Sequence, residues 1–132
     1  YWTQDLFQSG LLKKGSHIIA MTSAGGRKNW GNYGAISMAK SGLESASRQL
    51  SLELAQHGVS VNAIQAGVTD TAALRKIPGS EIMIKKAMEN NPHKRLTTTK
   101  DVADFIAILS DYNSSWMTGN IIKVDGGEDI TN

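Results

Sequence analysis

Three short apolar runs, separated by stretches of helical periodicity, constrain the fold of this chain more than any other feature. His17-Ile18-Ile19-Ala20-Met21 lies between Lys13-Lys14-Gly15-Ser16 and Thr22-Ser23-Ala24-Gly25-Gly26. About five residues between turn-forming flanks is the length of a buried strand and too short for a helix. Val59-Ser60-Val61-Asn62-Ala63-Ile64 and Asn120-Ile121-Ile122-Lys123-Val124 repeat the pattern.

Between the first two runs, residues 33–57 place Leu43, Ala46, Leu50 and Leu54 at spacings of 3, 4 and 4. That is a helical period, and Gly58 supplies a left-handed stop. Ala35, Ala39, Gly42 and Ala46 make the first half of this helix small enough for close packing. Residues 68–79 read as a loop. A helix carrying Ile82, Met83, Lys86 and Met88 follows and ends before Asn90-Asn91-Pro92. Thr99 is the expected N-cap of a further helix with Val102, Phe105, Ile106 and Leu109 on its apolar face. Asp125-Gly126-Gly127 reads as a turn. Strand, helix, strand, two helices, strand predicts an α/β chain with right-handed crossovers and a parallel sheet of three strands with flanking helices. So small a parallel sheet leaves an outer strand without a second partner, so it reads as one half of a doubly wound sheet.

Composition narrows the classes. The chain has 132 residues, 14 basic and 12 acidic, a net charge of +2 and no cysteine. This is the size of one domain. The absence of cysteine excludes disulfide scaffolds, thiol nucleophiles and thiolate metal sites. No basic cluster points to nucleic acid, and no apolar run approaches the ~20 residues of a membrane span. Tyr1-Trp2-Thr3-Gln4-Asp5 has neither the basic nor the apolar region of a secretion signal, nor an initiator methionine. The expectation is a cytoplasmic domain that begins inside a longer protein.

Tyr33 and Lys40 are the foremost chemical pair. Seven residues are two helical turns, so both side chains reach one face about 10 Å apart along the axis. A cation near a phenol makes the tyrosine a better acid. On pattern alone, a surface lysine on a helix that begins with tyrosine is the simpler reading. Ser23 ends the first strand, and ligands of open α/β sheets bind beyond the carboxyl ends of strands. A turn serine is the plain alternative. Gly67-Val68-Thr69-Asp70-Thr71 ends the second strand. Gly67 would let backbone approach a ligand there, and the Thr69 and Thr71 hydroxyls suit amide or phosphate oxygens. An ordinary strand-to-helix turn fits equally. His17, His57 and His93 are scattered without metal-ligand spacing, and no metal site is expected. Trp30 and Trp116 read as packing anchors, with Trp30 also placed to wall an apolar pocket.

Together these pieces resemble the C-terminal half of a short-chain dehydrogenase/reductase, over nearly the whole chain. The resemblance is carried by Met21-Thr22-Ser23, Lys40, Val61-Asn62-Ala63-Ile64-Gln65-Ala66-Gly67, and the run from Thr118-Gly119-Asn120 to Asp125-Gly126-Gly127. The usual Tyr-x-x-x-Lys is broken by Ile36. Tyr33, seven before Lys40, instead makes the Tyr-x(6)-Lys of enoyl-acyl-carrier-protein reductases. Ser23 stands where those enzymes often carry a second tyrosine, and matches the superfamily's catalytic serine. The tail is similar to 2,4-dienoyl-coenzyme A reductases.

The resemblance implies a Rossmann-like sheet and reduction of the carbon–carbon double bond of an enoyl thioester in fatty acid synthesis, by NADH or NADPH. Tyr33, Lys40 and Ser23 would be catalytic. Lys40, Gly67, Thr69 and Thr71 would contact the cofactor. Residues 70–90 would form a lid, with Ala72, Ala73, Leu74 and Ile77 toward a fatty chain. It further implies a thioester of acyl carrier protein or coenzyme A as partner, and a homo-oligomer, dimer or tetramer. A carbonyl (3-oxoacyl) reductase and an inactive binding or assembly fragment are the alternatives. The glycine-rich phosphate turn that opens a dinucleotide fold is missing. The expectation for residues 1–132 is therefore a single partial domain without the half that binds the cofactor's adenosine.

Overall fold

The computed structural model describes residues 1–131. Three parallel strands, β1 (His17–Ser23), β2 (Ser60–Ala66) and β3 (Ile121–Val124), form one sheet in the order β1-β2-β3. The expected alternation is therefore present. β2 is central and paired on both sides, with Ser23 opposite Ala66 and Val124 opposite the same residue. β1 and β3 each have one neighbouring strand among the described residues.

The central strand is buried from Ser60 to Gln65. Its polar side chains are paired, as burial demands. Asn62 Nδ2 donates to the Met117 carbonyl at 2.8 Å, and Asn62 Oδ1 accepts from the Asn120 backbone at 3.1 Å. His17 bridges elements: Nε2 lies 2.7 Å from the Tyr112 carbonyl and Nδ1 lies 2.6 Å from Ser60 Oγ. A carbonyl only accepts, so Nε2 carries a proton.

The long helix α2 (Gly34–Leu54) packs on β1 and β2 and continues as one 3₁₀ turn to His57. Gly58 then stops it at φ 68°. Leu54, Val59 and Val61 form the core cluster, with Leu12, Ile18 and Leu50 against it. The buried face of α2 differs from the expected one. Ala46 is exposed, and Glu44, Ser47 and Ser51 are buried beside Leu54. Ser47 and Ser51 donate back to the Leu43 and Arg48 carbonyls, so small polar residues close the helix onto the sheet without unpaired hydroxyls.

Four details depart from the sequence reading. A seven-residue helix, α1 (Trp2–Gln8), precedes β1 and sets Phe7 edge-on against His57 at 4.7 Å. The stretch read as a loop contains the single-turn helix α3 (Ala72–Arg75), followed by α4 (Ser80–Asn90). The cap of α5 (Thr99–Ser110) is Thr98 rather than Thr99. Asp101, three residues after Thr98, returns its carboxylate to the Thr98 N–H at 2.8 Å and completes a capping box. Trp116 is 91% exposed and anchors nothing.

Candidate active site

The site assembles where β1 and β2 end side by side, the edge at which parallel sheets bind ligands. Ser23 closes β1. Its hydroxyl is buried and has no hydrogen-bond partner among the described residues. An orphan buried hydroxyl costs about 1–3 kcal/mol, so it marks a place where a partner arrives from outside.

After Ser23 the chain makes one 3₁₀ turn, Ala24–Gly26, and runs to Asn32, which sits at φ 63°. Asparagine tolerates this left-handed conformation better than most residues. The reversal sets Tyr33 at the N-cap of α2. Trp30 meets the Tyr33 ring edge-on, with centroids 5.2 Å apart at 84°. Gly25 makes room for this pair. A Cβ on it would collide with Tyr33 Cε1 and come to 3.2 Å from Trp30 Cζ3. A Cβ on Gly26 would collide with the Glu44 carboxylate. Both glycines thus admit the chain's own side chains.

Lys40 is two turns along α2. Its Nζ donates to the Met21 carbonyl at 2.9 Å, which ties the helix to the last turn of β1. An ammonium has three N–H groups, so further acceptors can be bound.

Beyond β2, Val68 N–H donates to Glu128 Oε2 at 3.0 Å, and Thr97 N–H donates to the Val68 carbonyl at 3.2 Å. The Thr69 hydroxyl donates to the Gly67 carbonyl at 2.9 Å. The space a Gly67 Cβ would fill is held by Thr97 Oγ1, Glu128 Oε2 and Asp125 Cβ, so the missing side chain serves packing within the protein. Thr71 Oγ1 accepts from the Leu74 N–H at 3.2 Å and caps α3.

A cavity of about 150 Å³ results. Ser23, Tyr33, Gly67 and Thr69 line it together, with Trp30, Val68, Leu74, Ile77 and Met83 as apolar wall. Lys40 and Thr71 are not on this wall. Of the four lid residues named from sequence, Leu74 and Ile77 reach the cavity, while Ala72 and Ala73 are exposed.

Glu128 also lines the cavity and was not singled out from sequence. Asp125-Gly126-Gly127 brings it there. Both glycines have positive φ, 62° and 83°, and the turn folds the chain back over the end of the sheet. Asp125 Oδ1 accepts the Gly127 N–H at 2.9 Å, and its Oδ2 accepts the Asp129 N–H at 3.1 Å. A pair of glycines directly after the last strand was the available signal. Burial pushes the Glu128 carboxyl above its usual range. The Val68 N–H pulls it down, Asp125 and Asp129 push it up, and Lys28 pulls it down. Asp129 is the opposite case. Burial would raise it, but Lys123, Lys28 and Arg27, at 2.6, 2.7 and 2.7 Å, hold it well below the usual carboxylate range. No group of three or more His, Cys, Asp or Glu that could hold a metal ion occurs among the described residues.

Comparison with known proteins agrees with this geometry. The family model described as Enoyl-(Acyl carrier protein) reductase matches residues 3–129. The enoyl-(acyl-carrier-protein) reductase (NADH) FabI of Synechocystis sp. is 39% identical over 120 residues, covering 91% of this chain and 46% of that protein. A 1-cyclohexenylcarbonyl-CoA reductase of Streptomyces collinus is 30% identical over 122 residues, covering 91% of this chain and 44% of that protein. The crystal structure of FabI from Candidatus Liberibacter asiaticus superposes with a TM-score of 0.85 at 30% identity, covering 98% of this chain and 50% of that one. The enoyl-(acyl-carrier-protein) reductase of Aquifex aeolicus gives 0.81 at 31%, covering 92% and 48%. The chain thus spans about half the length of the relatives it matches. Since the match runs through the strand ends, the Tyr33–Lys40 helix and the turn after β3, the chain belongs to the enoyl-(acyl-carrier-protein) reductase family of short-chain dehydrogenase/reductases.

Proposed function

We propose that the protein carrying this chain reduces the carbon–carbon double bond of an enoyl thioester with NADH or NADPH, as a step of fatty acid synthesis. The observation that carries this reading is the buried, unpartnered Ser23 hydroxyl in one apolar-walled cavity with Tyr33. A cofactor's nicotinamide end fits the residues present there: an orphan hydroxyl awaiting a partner, and Thr69 on the same wall. When bound, the reduced nicotinamide supplies the hydride for the β-carbon. Several of the matched relatives carry NADH in their names, and one Bacillus cereus structure carries NADP+ in its title.

This chain's own residues do the rest. As negative charge develops on the thioester oxygen, Tyr33 donates a hydrogen bond to it, stabilisation that is strongest in a water-poor cavity. Trp30 and Gly25 fix the ring that carries this donor. Lys40, fastened to Met21, keeps spare N–H groups for the ribose hydroxyls and holds positive charge near the strand end. Gly67, Thr69 and Thr71 present the backbone and hydroxyls at the end of β2 to the nicotinamide and pyrophosphate. Leu74, Ile77 and Met83 cover the acyl chain and exclude water.

In this reading residues 1–132 are one partial domain, and the adenosine is bound by residues outside it. The protein is cytoplasmic and works as a homo-oligomer, dimer or tetramer, on a thioester of acyl carrier protein or coenzyme A. No helix among the described residues is long and apolar enough to cross a membrane. A 3-oxoacyl reductase is the second reading, favoured by Ser23 in place of a second tyrosine and by likeness to a keto-reducing enzyme, LugOII, at 27% identity and a TM-score of 0.77.

The test uses the full-length protein and follows nicotinamide oxidation with crotonyl-coenzyme A and acetoacetyl-coenzyme A. Turnover of the first is expected, and faster turnover of the second would replace this reading by the 3-oxoacyl one. Tyr33→Phe should lower kcat roughly 100- to 1,000-fold, the usual cost of one donor to a developing oxyanion.

A further inference from the structure

Reduction of an enoyl thioester needs a proton as well as a hydride. Hydride addition at the β-carbon leaves an electron pair shared between the thioester oxygen and the α-carbon. Tyr33 answers the oxygen, and the α-carbon still needs a proton of its own. Two ionisable side chains line the cavity of Ser23, and they are Tyr33 and Glu128. Glu128 is only 8% exposed. The reversal at Gly126 and Gly127 brings it over the strand end, and the Val68 N–H fastens its Oε2 at 3.0 Å. A neutral carboxyl that accepts this bond still has an O–H to give. A second space of about 780 Å³ adjoins the first and shares Ala24, Trp30, Val68, Met83 and Glu128 with it. Of these five side chains only Glu128 is ionisable, so it alone can pass a proton from one space to the other.

We propose that Glu128 is the general acid that protonates the α-carbon, and that water in the larger space restores its proton. The inference deepens the enoyl-reductase reading and rests on it. The Glu128 O–H bond breaks and leaves its electron pair on the carboxylate, while the pair at the α-carbon forms the new C–H bond. Water then returns a proton to the carboxylate. Each double bond thus consumes one hydride and one solvent proton. Burial already favours the protonated form of Glu128, and an acyl chain that drives water out of the cavity strengthens that preference. A positioned acid of this kind contributes about 100- to 10,000-fold to a rate.

The test reduces crotonyl-coenzyme A with the full-length protein in deuterium oxide and reads the butyryl product by NMR. The unaltered protein should place deuterium on one face of C2. Glu128→Gln keeps an acceptor oxygen for the Val68 N–H but has no acidic proton. It should lower kcat about 100-fold and spread deuterium over both faces of C2, while deuteride from a labelled cofactor still enters one face of C3. The kcat of the unaltered protein should fall as pH rises through the Glu128 pKa, and Glu128→Gln should lack that limb. Lys28 from the loop after β1, Lys86 from α4, and Asp125 and Asp129 from its own turn face Glu128 and set where the limb lies. Without cofactor, infrared spectra should show a protonated carboxyl above the usual glutamate range that Glu128→Gln lacks. Unchanged kcat or one-faced C2 deuteration in Glu128→Gln overturns the inference and leaves the enoyl reading standing. So does a kcat of the unaltered protein that does not fall as pH rises. Reduction of acetoacetyl-coenzyme A alone overturns the enoyl reading, and the inference with it.

Discussion

Thr22 Oγ1 donates to Glu44 Oε1 at 2.7 Å, and both residues are 4% exposed. The bond joins β1, one residue before Ser23, to α2, four residues after Lys40. It therefore holds the strand end and the catalytic helix in register. Glu44→Ala leaves the Thr22 hydroxyl buried without an acceptor and opens space beside Gly26. The expected loss of stability is about 1–3 kcal/mol. Glu44→Gln keeps an acceptor oxygen and should lose less than half as much. Urea unfolding of the two variants checks the order. Equal losses would mean that the carboxylate's charge, and not the hydrogen bond, is what matters there.

Glu128 makes stability depend on pH in a direction opposite to most carboxylates. Its folded-state pKa is raised above 4.5, burial being the first cause, with Asp125 and Asp129 adding to it and the Val68 N–H and Lys28 opposing. In the window above 4.5 the folded state holds the proton more firmly than the unfolded one. The stability Glu128 contributes is complete below 4.5 and is lost as pH rises through the folded value. The slope is at most about 1.4 kcal/mol per pH unit. Glu128→Gln removes that slope. Chemical denaturation at a series of pH values from 4 upward, on both proteins, should show the curves converge at low pH and separate above it.

The strands and the long helix were legible because each rests on a local period: apolar runs between turn residues, and the leucines of α2. Gly58 was legible because a left-handed stop has a glycine signature. The Tyr33–Lys40 pair was legible as a spacing, but its arrangement was not. That Lys40 fastens to Met21 depends on how α2 lies across β1, a tertiary fact. The burial of Glu44, Ser47 and Ser51 contradicts hydrophobic periodicity, because their hydrogen bonds offset the cost of burying them. Glu128 was invisible for a related reason. Its place in the cavity is set by the reversal at Gly126 and Gly127; the glycine pair marks the reversal, but not which side chain it turns toward the cavity. Thr98 was missed by one residue among three consecutive threonines, although Asp101 three positions on was the deciding signal.

Asp129 gathers Arg27, Lys28 and Lys123, and its side chain is 4% exposed against 46%, 32% and 38% for theirs. The cluster binds the segment after β3 to the loop that leads to Trp30 and Tyr33. Asp129→Asn keeps the shape and removes the charge, leaving three cations facing one another. Breaking a buried pair costs about 3–5 kcal/mol, and the partial exposure of the cations reduces this to about 2 kcal/mol. Its pKa is lowered, by these three cations against burial. Its contribution is thus present at neutral pH and lost only as pH falls below 3.8. Thermal unfolding at pH 7 should show the loss, and at pH 3 the difference between the two proteins should shrink.

Gly25→Ala separates the positioning of Tyr33 from the folding of the chain. The new Cβ meets the Tyr33 ring and, at 3.2 Å, the Trp30 ring. The backbone at Gly25 does not have positive φ, so alanine brings no backbone strain. Both rings lie on the cavity side and can swing away, so stability should fall by less than about 1.5 kcal/mol, within the range of mild overpacking. The phenol, however, moves with its ring. A displacement of about 1 Å at a catalytic group costs on the order of 100-fold in rate. The full-length Gly25→Ala protein should therefore show kcat reduced about 100-fold with KM for the cofactor little changed. With the exposed Trp2 and Trp116 replaced by Phe, Trp30 reports the displacement through its fluorescence. A shifted emission with a nearly unchanged unfolding midpoint is the expected pair of results. Unaltered kcat alongside shifted Trp30 emission would show that the Tyr33 ring need not be held by Gly25 and Trp30 for the reaction to proceed.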